Sequence, residues 1–537
     1  MIMKGGGVVA KYLVRRILHG ILSIIAVVAV VMILVYALGD RQLIFMADPL
    51  YTKQNNNNRI AYTYRMWEEY GYLDYVPFGD YLNSLVKAGE LDADTRADVA
   101  RLGRTQDKDS EQTAKYAADF RAYYESLGYT VERVDAKMAT PRKVADGGNP
   151  LLFAYKDRPL LLRVVEFFTG IFSVDNIHYV EENYPDAQLQ GEAGLTFTWY
   201  DPAYGGEKFS PAIIGNGTRH KYLMYCTDSF PFVHQNMFTI RLGKSYVVNK
   251  GIDVFDTMTL SQGPYVRSTV YYPTGMVEYS ADDLHTATYA AGSREGNALL
   301  ADRYTDDYTN VFTTNSDMSK MGFSFTIGII AVAMAYCLGL PLGLLMARRK
   351  DTWVDKLGTI YIVFIIAVPS LAYIFLFKAI GGSLGLPTSF EMGTGAKLMY
   401  VLPIVSLALP SVANLMKWMR RYMIDQMNSD YVKFARSEGL SEGEIFTKHI
   451  WKNAVIPIVH GIPGGVLGAL TGAVITERVY VVPGAGNLLT IAINRYDNSV
   501  IVGMTLFYAV LSVTSLILGD ILMSMVDPRI SFSAKAR

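Results

Sequence analysis

The most distinctive chemistry in this chain lies in one polar stretch, Asn428 to Ile458. Ser441 and Glu444 stand three residues apart there. In that S-x-x-E spacing each side chain accepts from the other's backbone amide, so a helix is expected to begin at Ser441. Gly439, two residues earlier, is placed to end a preceding short helix. Ile445, Ile450 and Ala454 fall near one face of the second helix, with Lys448, His449 and Lys452 around it. Two short helices of this kind make a rigid knob. Spacing alone leaves two readings level: a surface presented to a partner, or a hairpin resting its basic residues on lipid phosphate. Bond-making chemistry is missing. No G-x-x-x-x-G-K-[ST] is present to cradle ATP phosphates, and Gly205-Gly206-Glu207-Lys208 is too short to serve. The seven histidines form no H-E-x-x-H or other paired ligand spacing, and no catalytic serine or cysteine motif stands out. Asp282-Asp283 and Asp306-Asp307 match no EF-hand loop and read as solvated surface. The chain is expected to be neither an enzyme nor a metal or cofactor binder in its own right.

The elements that would carry such a knob follow from composition. Of 537 residues, 51% are apolar and only 19% charged, against an ordinary quarter or so in soluble domains. Disorder, collagen and a disulfide scaffold are excluded, and a purely soluble enzyme is disfavoured. The neutral net charge hides a division: residues 41–318 carry 27 Lys+Arg against 37 Asp+Glu, and the remainder carries 23 against 13. Apolar runs long enough to cross a bilayer occur at Ile17–Leu38, Phe323–Met346, Leu357–Ala379, Leu398–Met416, Ala454–Ile475 and Val500–Met525. The first is longer than a signal-peptide core and is read as an uncleaved helix. Pro369, Pro403, Pro410 and Pro463 fall inside these runs, where membrane helices tolerate them. Gly464, Gly468 and Gly472 recur every four residues, a spacing for close helix approach that favours internal packing over a subunit contact. The N-terminus, Arg348 to Lys356, Lys417 to Lys452 and the tail from Arg529 are all basic. With six spans they share one side, so both termini are expected in the cytoplasm and residues 41–318 outside. Lys378 and Lys417 lie near span ends, and no span carries a charge deep in its middle, which counts against an ion-coupled carrier. Cys226 and Cys337 lie at different depths and are not expected to pair.

Asp430, Tyr431, Val432, Ala435, Arg436, Gly439, Leu440, Ser441, His449, Asn453, Ala454 and Pro457 together resemble the coupling loop of binding-protein-dependent ABC importer permeases. The version they match is that of the dipeptide, oligopeptide and nickel permeases. Ser437-Glu438 departs from the family's Ala-Lys and reverses a charge beside the glycine. The resemblance continues through Glu477, Pro483, Gly484 and Gly486, the closing Asp527-Pro528-Arg529, Tyr12 to Arg16, Gly39-Asp40, Gly339 with Pro341 to Gly343, and Pro369-Ser370. It covers residues 1–40 and about 319–537. It implies an α-helical multi-span membrane protein, a type I ABC importer permease with six spans, and a mixed α+β extracellular domain inserted between spans one and two. The implied domains are 1–40 with the first span, the insertion 41–318, the permease core 319–530 with its coupling loop 417–453, and the tail 531–537. By resemblance, ATPases dock on Tyr431, Ala435, Arg436, Gly439, Leu440, Ser441, Glu444, His449, Asn453 and Pro457. The implied partners are a second permease subunit, two ABC ATPases holding ATP and Mg, a lipid-anchored extracellular binding protein and membrane lipid, with no nucleic acid. The implied place is a bacterial cell membrane. Oligopeptides lead as substrate, with nickel, glutathione and oligosaccharides open. A membrane-anchored sensor, adhesion protein or hydrolase is the rival class, and the detailed loop match argues against it.

The insertion itself reads as mixed. Residues 92–127 suggest a helix with Ala114, Ala117, Ala118 and Phe120 on its packing face, and residues 195–280 suggest strands, for example Tyr265 to Tyr272. Asn55 to Asn58 suggests a loop or linker. Leu161, Leu162, Val165, Phe168 and Ile171 recur at helical spacing, with core packing favoured over the membrane surface. Most of the 37 tyrosines lie in the insertion, as suits either a binding surface or an ordinary β-domain. Asn216-Gly217-Thr218 spells a glycosylation triplet of little use to a bacterial permease.

Overall fold

The structure is a computed structural model that describes residues 6–46, 48–136, 149–174, 194–201, 205–216, 222–226, 233–235, 237–248, 250–259, 267–271, 277–281, 318–391 and 396–526. Asp527-Pro528-Arg529, the tail 531–537, Asp282-Asp283, Asp306-Asp307 and Gly217-Thr218 lie outside the described residues.

In the outer region, α2 (Asn56–Glu69) precedes an antiparallel three-stranded sheet of β1 (Leu73–Pro77), β2 (Thr130–Val134) and β3 (Leu151–Asp157), with β3 central. Helices α3 (Phe78–Lys87), α4 (Ala93–Val99) and α5 (Glu111–Ser126) are threaded between β1 and β2. Successive side chains of a strand point to opposite faces, and β3 follows that rule. Phe153 joins Phe45, Tyr62, Trp67 and Leu73 in one core, while Leu152 and Ala154 join Phe78, Leu82 and Phe120 in another. The packing face of α5 is Thr113, Tyr116, Ala117, Phe120 and Tyr124. Ala114 and Ala118, expected on it, are exposed because the aromatics fix the helix a fraction of a turn away. The asparagine tract is no linker. Asn55 caps α2, its side chain accepting from the Asn58 amide at 3.3 Å, and buried Asn57 donates to the carbonyls of Asp135 and Asn149 at 3.3 and 3.0 Å. Beyond α6 (Leu160–Gly170), strands Gly194–Thr198, Ala212–Asn216, Tyr222–Cys226 and Val233–Gln235 form an antiparallel sheet, and Arg267–Tyr271 pairs with Val277–Ala281. Of the stripe on and just after α6 expected to pack in the core, Phe168 and Ile171 do so, joined by Phe167, whereas Leu161, Leu162 and Val165 are exposed.

Among the described residues, four helices are long and apolar enough to cross a membrane: α1 (Gly6–Leu38), α8 (Lys320–Arg348), α11 (Val401–Met427) with the turn before it, and α16 (Asn498–Val526). Two further candidates are bent pairs. α9 (Trp353–Ala367) meets α10 (Ser370–Ser383) at 112°, and α13 (Glu442–His460) meets α14 (Ile462–Tyr480) at 41°. The run 357–379, expected to be continuous, breaks because Pro369 disfavours helical backbone in the residue before it; Val368 is extended, with φ −87° and ψ 130°. Between them lie α12 (Asp430–Ser437), before α13, and α15 (Ala485–Asn494), before α16.

Glycine sets the helix packing. A Cβ on Gly339 would lie 2.8 Å from Leu415 Cβ, and one on Gly343 2.8 Å from Met419 Cβ, so α8 and α11 touch where only glycine fits. α1 runs beside α16, where Arg16 pairs with Asp520 at 3.0 Å and the Tyr12 hydroxyl donates to the same carboxylate at 3.1 Å. Gly464 and Gly468 do not pack internally as expected: a Cβ on either would meet nothing within 4 Å.

Candidate coupling site

The polar stretch folds as its spacing demands. α12 ends at Glu438, and Gly439 turns the chain with φ +82°, a left-handed conformation that costs glycine little. The Ser441 hydroxyl accepts from the Glu444 amide at 3.4 Å while the Glu444 carboxylate accepts from the Ser441 amide at 3.3 Å, the reciprocal cap. Arg436 reaches across the turn to Glu442 at 2.7 Å, clamping α12 to the start of α13. The pair is exposed, so its worth is geometric more than energetic.

Beneath the turn, Val432, Ala435, Ile445, Ile450, Ala454 and Ile458 are buried against Ala347 of α8 and Met419 and Met423 of α11. The knob is therefore packed onto the membrane-length helices rather than hanging free of them. Its second arm runs without interruption through a π-type stretch, Ile445–Ile450, to His460, so the expected span beginning at Ala454 is continuous with the knob. A half-buried two-pronged ion pair, Arg420 with Asp355 at 2.6 and 2.8 Å, ties α11 to the start of α9 nearby. Of the sequence-predicted residues, Tyr431 donates to Gln426 Oε1 at 2.7 Å, Ala435 is buried, and Leu440, Glu444, His449 and Asn453 are half-buried. Arg436, Gly439, Ser441 and Pro457 are exposed, Pro457 inside α13. Phe434, absent from the sequence-predicted set, is the knob's most telling residue: an aromatic ring 65% exposed on α12 between the buried Val432 and Ala435. Only helical phase could have marked it in the sequence.

A second constellation gathers Glu477, Pro483, Gly484 and Gly486. α14 ends at Tyr480, Val481 takes φ +58°, and the chain reverses into α15. The fully buried Glu477 carboxylate accepts from the Ser324 hydroxyl at 2.5 Å and the Asn487 amide at 2.9 Å. Ser324 in turn accepts from the Ala485 amide at 2.8 Å. The carboxylate thus caps the N-terminus of α15, where the dipole and free amides favour an anion. The glycines make room: a Cβ on Gly484 would lie 2.4 Å from Glu477 Cδ, and one on Gly486 2.7 Å from Val474 Cα. Pro483 is half-buried in the same turn.

Sequence reasoning missed the tie between the outer region and the helices. Asp497, fully buried between α15 and α16, accepts from the Ser245 hydroxyl at 2.6 Å and from the amides of Tyr246, Val247 and Val248 at 3.0, 3.0 and 3.1 Å. Next to it, Asn498 donates to the Tyr72 hydroxyl at 2.8 Å. A short helix of the outer region, α7 (Val254–Thr259), buries Val254 and Met258 among Met321, Leu488, Ala492 and Met504. Asp256 on it is pushed up to about 6 by burial, with the neighbouring Asp253 charge adding to the effect. A carboxyl raised above its unfolded value of about 3.9 favours the fold at low pH and loses that contribution as pH rises from about 4 to 6. Hydrogen exchange of residues 254–259 is therefore expected to quicken over that window, and Asp256→Asn to flatten the change. An unaltered slope in the variant would refute the assignment.

The family profile "Binding-protein-dependent transport system inner membrane component" matches residues 339–532. The oligopeptide transport system permease protein AmiC of Streptococcus pneumoniae is 34% identical over 530 residues, 98% of this chain and 99% of its own length. This chain belongs to the oligopeptide transport system permease family. The permease is therefore a helical multi-span membrane protein and a transport subunit, ATP hydrolysis belonging to separate subunits. The dipeptide transport system permease protein DppB of Bacillus subtilis is 31% identical over 224 residues, 41% of the permease and 72% of DppB. AmiC matches along nearly the whole chain and DppB over less than half of it, so the permease shares its full length, outer region included, with AmiC. A solved amino acid ABC transporter with histidines aligns with TM-score 0.31 at 17% identity, covering 39% of the permease and 92% of that chain.

Proposed function

We propose that the permease is one of two membrane subunits of a type I ATP-driven importer and forms half of the path for oligopeptides. Counting each bent pair as one span gives six, an even number that supports both termini on one side, and the basic termini and loops make that side the cytoplasm in our reading, with residues 41–318 outside. A second permease completes the path, with the open glycine face at Gly464 and Gly468 available to it. Two ATPases, holding ATP and Mg, dock on the knob around Tyr431, Ala435, Arg436, Gly439 and Ser441. A lipid-anchored binding protein delivers peptide to the outer region, whose attachment at Asp497 and Val254 suits a fixed platform.

One observation carries the reading: the capped knob is continuous through Glu442–His460 with a membrane-length helix pair, so a push on it moves the membrane core. ATPase closure would rock α13–α14 about the bend at Gly461 and open the path alternately to each side. The test is co-purification from the native membrane. Wild type is expected to bring down two ATPases and a second permease. Gly439→Asp, strained at φ +82°, and Phe434→Ser, which removes an exposed ring without touching the core, should each lose the ATPases about tenfold or more, as hot-spot losses do. A chain that purifies alone would overturn the importer. Undiminished ATPases with Phe434→Ser would move the docking surface elsewhere.

A further inference from the structure

A cavity of about 230 Å³ opens where the C-terminal end of α1 and the N-terminal end of α16 meet the outer region. Its floor is apolar, built of Met32, Phe167 and Val502, and its walls carry charge of both signs, Arg163 and Lys244 against Glu69 and Glu166. Arg163 is held unusually. Its guanidinium sits in the angle between the rings of Tyr36 and Tyr72, which stand edge-on to each other with centroids 5.5 Å apart, and lies 3.9 and 4.2 Å from those centroids; Tyr72 is itself fixed by Asn498. The two rings brace it from one side as cation–π partners. Its N–H edges meet no acceptor among the described residues, and the nearby Glu166 is paired with Arg158 instead at 3.5 Å. A guanidinium braced from one side by two rings, with its N–H groups given no acceptor, is a fork preset for a phosphate or carboxylate.

The surroundings decide which. On α1 beside the cavity, Val30, Ile33 and Leu34 are exposed apolar side chains, as are Leu161, Leu162 and Val165 on α6. The occupant must therefore join an anionic group, a cationic group and an apolar tail at the end of a membrane-length helix. We propose that this cavity binds the headgroup of an outer-leaflet phospholipid of the aminophospholipid class. Its phosphate lies on Arg163 and Lys244, its primary ammonium lies towards Glu69, and its acyl chains run down the exposed faces of α1 and α6. The lipid fills the seam between the outer region and the first span, so its binding stiffens the platform on the membrane core. The inference rests on the orientation proposed above.

The experiment uses the intact complex in detergent, exchanged against defined lipid and examined by native mass spectrometry. The probes are phosphatidylethanolamine, phosphatidylglycerol, inorganic phosphate and a zwitterionic peptide. Wild type is expected to retain one phosphatidylethanolamine. Arg163→Gln should retain it about tenfold less well, the equilibrium effect of losing one charge-assisted hydrogen bond. Lys244→Gln, at an exposed side chain outside the packing, keeps the test open should Arg163→Gln fail to fold, and should weaken retention too. Equal retention by wild type and both folded variants overturns the site. Equal or better retention of phosphatidylglycerol overturns the aminophospholipid assignment. Displacement of the lipid by inorganic phosphate or by the peptide overturns a lipid occupant. Scoring ATPase co-purification in the same preparation separates this inference from the importer. Retention that depends on Arg163 in a chain that captures no ATPase would uphold the cavity and sink the transport reading.

Discussion

Asp497→Ala is expected to release the outer region from the membrane helices and to cost the fold about 3–5 kcal/mol, the range for breaking a buried charged contact. The carboxylate is fully buried and holds one hydroxyl and three consecutive amides from Ser245 to Val248. No cation faces it among these partners; successive amides converging on an anion form a nest that stands in for one. Removing it leaves those buried donors without an acceptor, at roughly 1–3 kcal/mol for each one left unsatisfied. Asp497→Asn should recover only part of the loss, because one carboxylate oxygen becomes an amide nitrogen facing donors. The readout is limited proteolysis with a thermal melt. Cleavage between residues 241 and 259 should appear early in the alanine variant, and the melt should split into two transitions. A single unshifted melt with unchanged cleavage would show that the apolar contacts of Val254 and Met258 suffice without the nest.

The local features of the fold were legible because they depend on neighbouring residues. The capping box at Ser441, the turn at Gly439 and the apolar length of α1, α8, α11 and α16 follow from spacing and composition, and each takes its place as expected. Features set by distant partners were not legible. Asp497 precedes α16 in a Tyr-Asp-Asn-Ser run that looks like an ordinary helix start, yet its side chain serves a loop about 250 positions away in sequence. Asn55 to Asn58 has the composition of a linker, and only the carbonyls of Asp135 and Asn149 make Asn57 a buried strut. Pro369 was read as a proline that a span tolerates. Whether a proline kinks a helix or splits it depends on packing to either side, and here α10 turns away by 112° to seat Tyr373 and Ile374 against Phe323 and Tyr480. The alanines of α5 show the same limit: a small-residue face was visible, but the larger rings of Tyr116, Phe120 and Tyr124 determined which side turned inward.

Gly486→Ala is expected to uncouple transport from ATP hydrolysis while leaving the knob intact. The added methyl would lie 2.7 Å from Val474 Cα and 3.0 Å from Glu477 Oε2, and the first of these is backbone that cannot step aside. Forcing extra volume into such a place costs about 1–3 kcal/mol and shifts the elements involved. Those elements are α14, which continues the lever, and α15, whose Ala485, Leu488 and Ala492 pack with Leu242, Val254 and Met258 of the outer region. Glu477 is the pin between them. With it in place, the packed knob at Ile445, the helices α13 and α14, and α15 form one connected path to residues 242–258, along which the proposed movement would pass. Gly486→Ala should therefore lower ATP-driven peptide uptake in membranes about tenfold or more, the effect of about 1.4 kcal/mol, with ATPase co-purification unchanged. Gly484→Ala gives an independent check, because the three atoms its methyl would meet first all belong to the Glu477 carboxylate, the nearest being Cδ at 2.4 Å. Combined with Glu477→Ala it should cost less than the two single changes together, since removing the side chain relieves the clash, as contacting residues do in a double-mutant cycle. Strict additivity of the pair, or full uptake by Gly486→Ala, would mean that α15 moves independently of the lever. In that case the outer region would be carried by α16 through Asp497 alone.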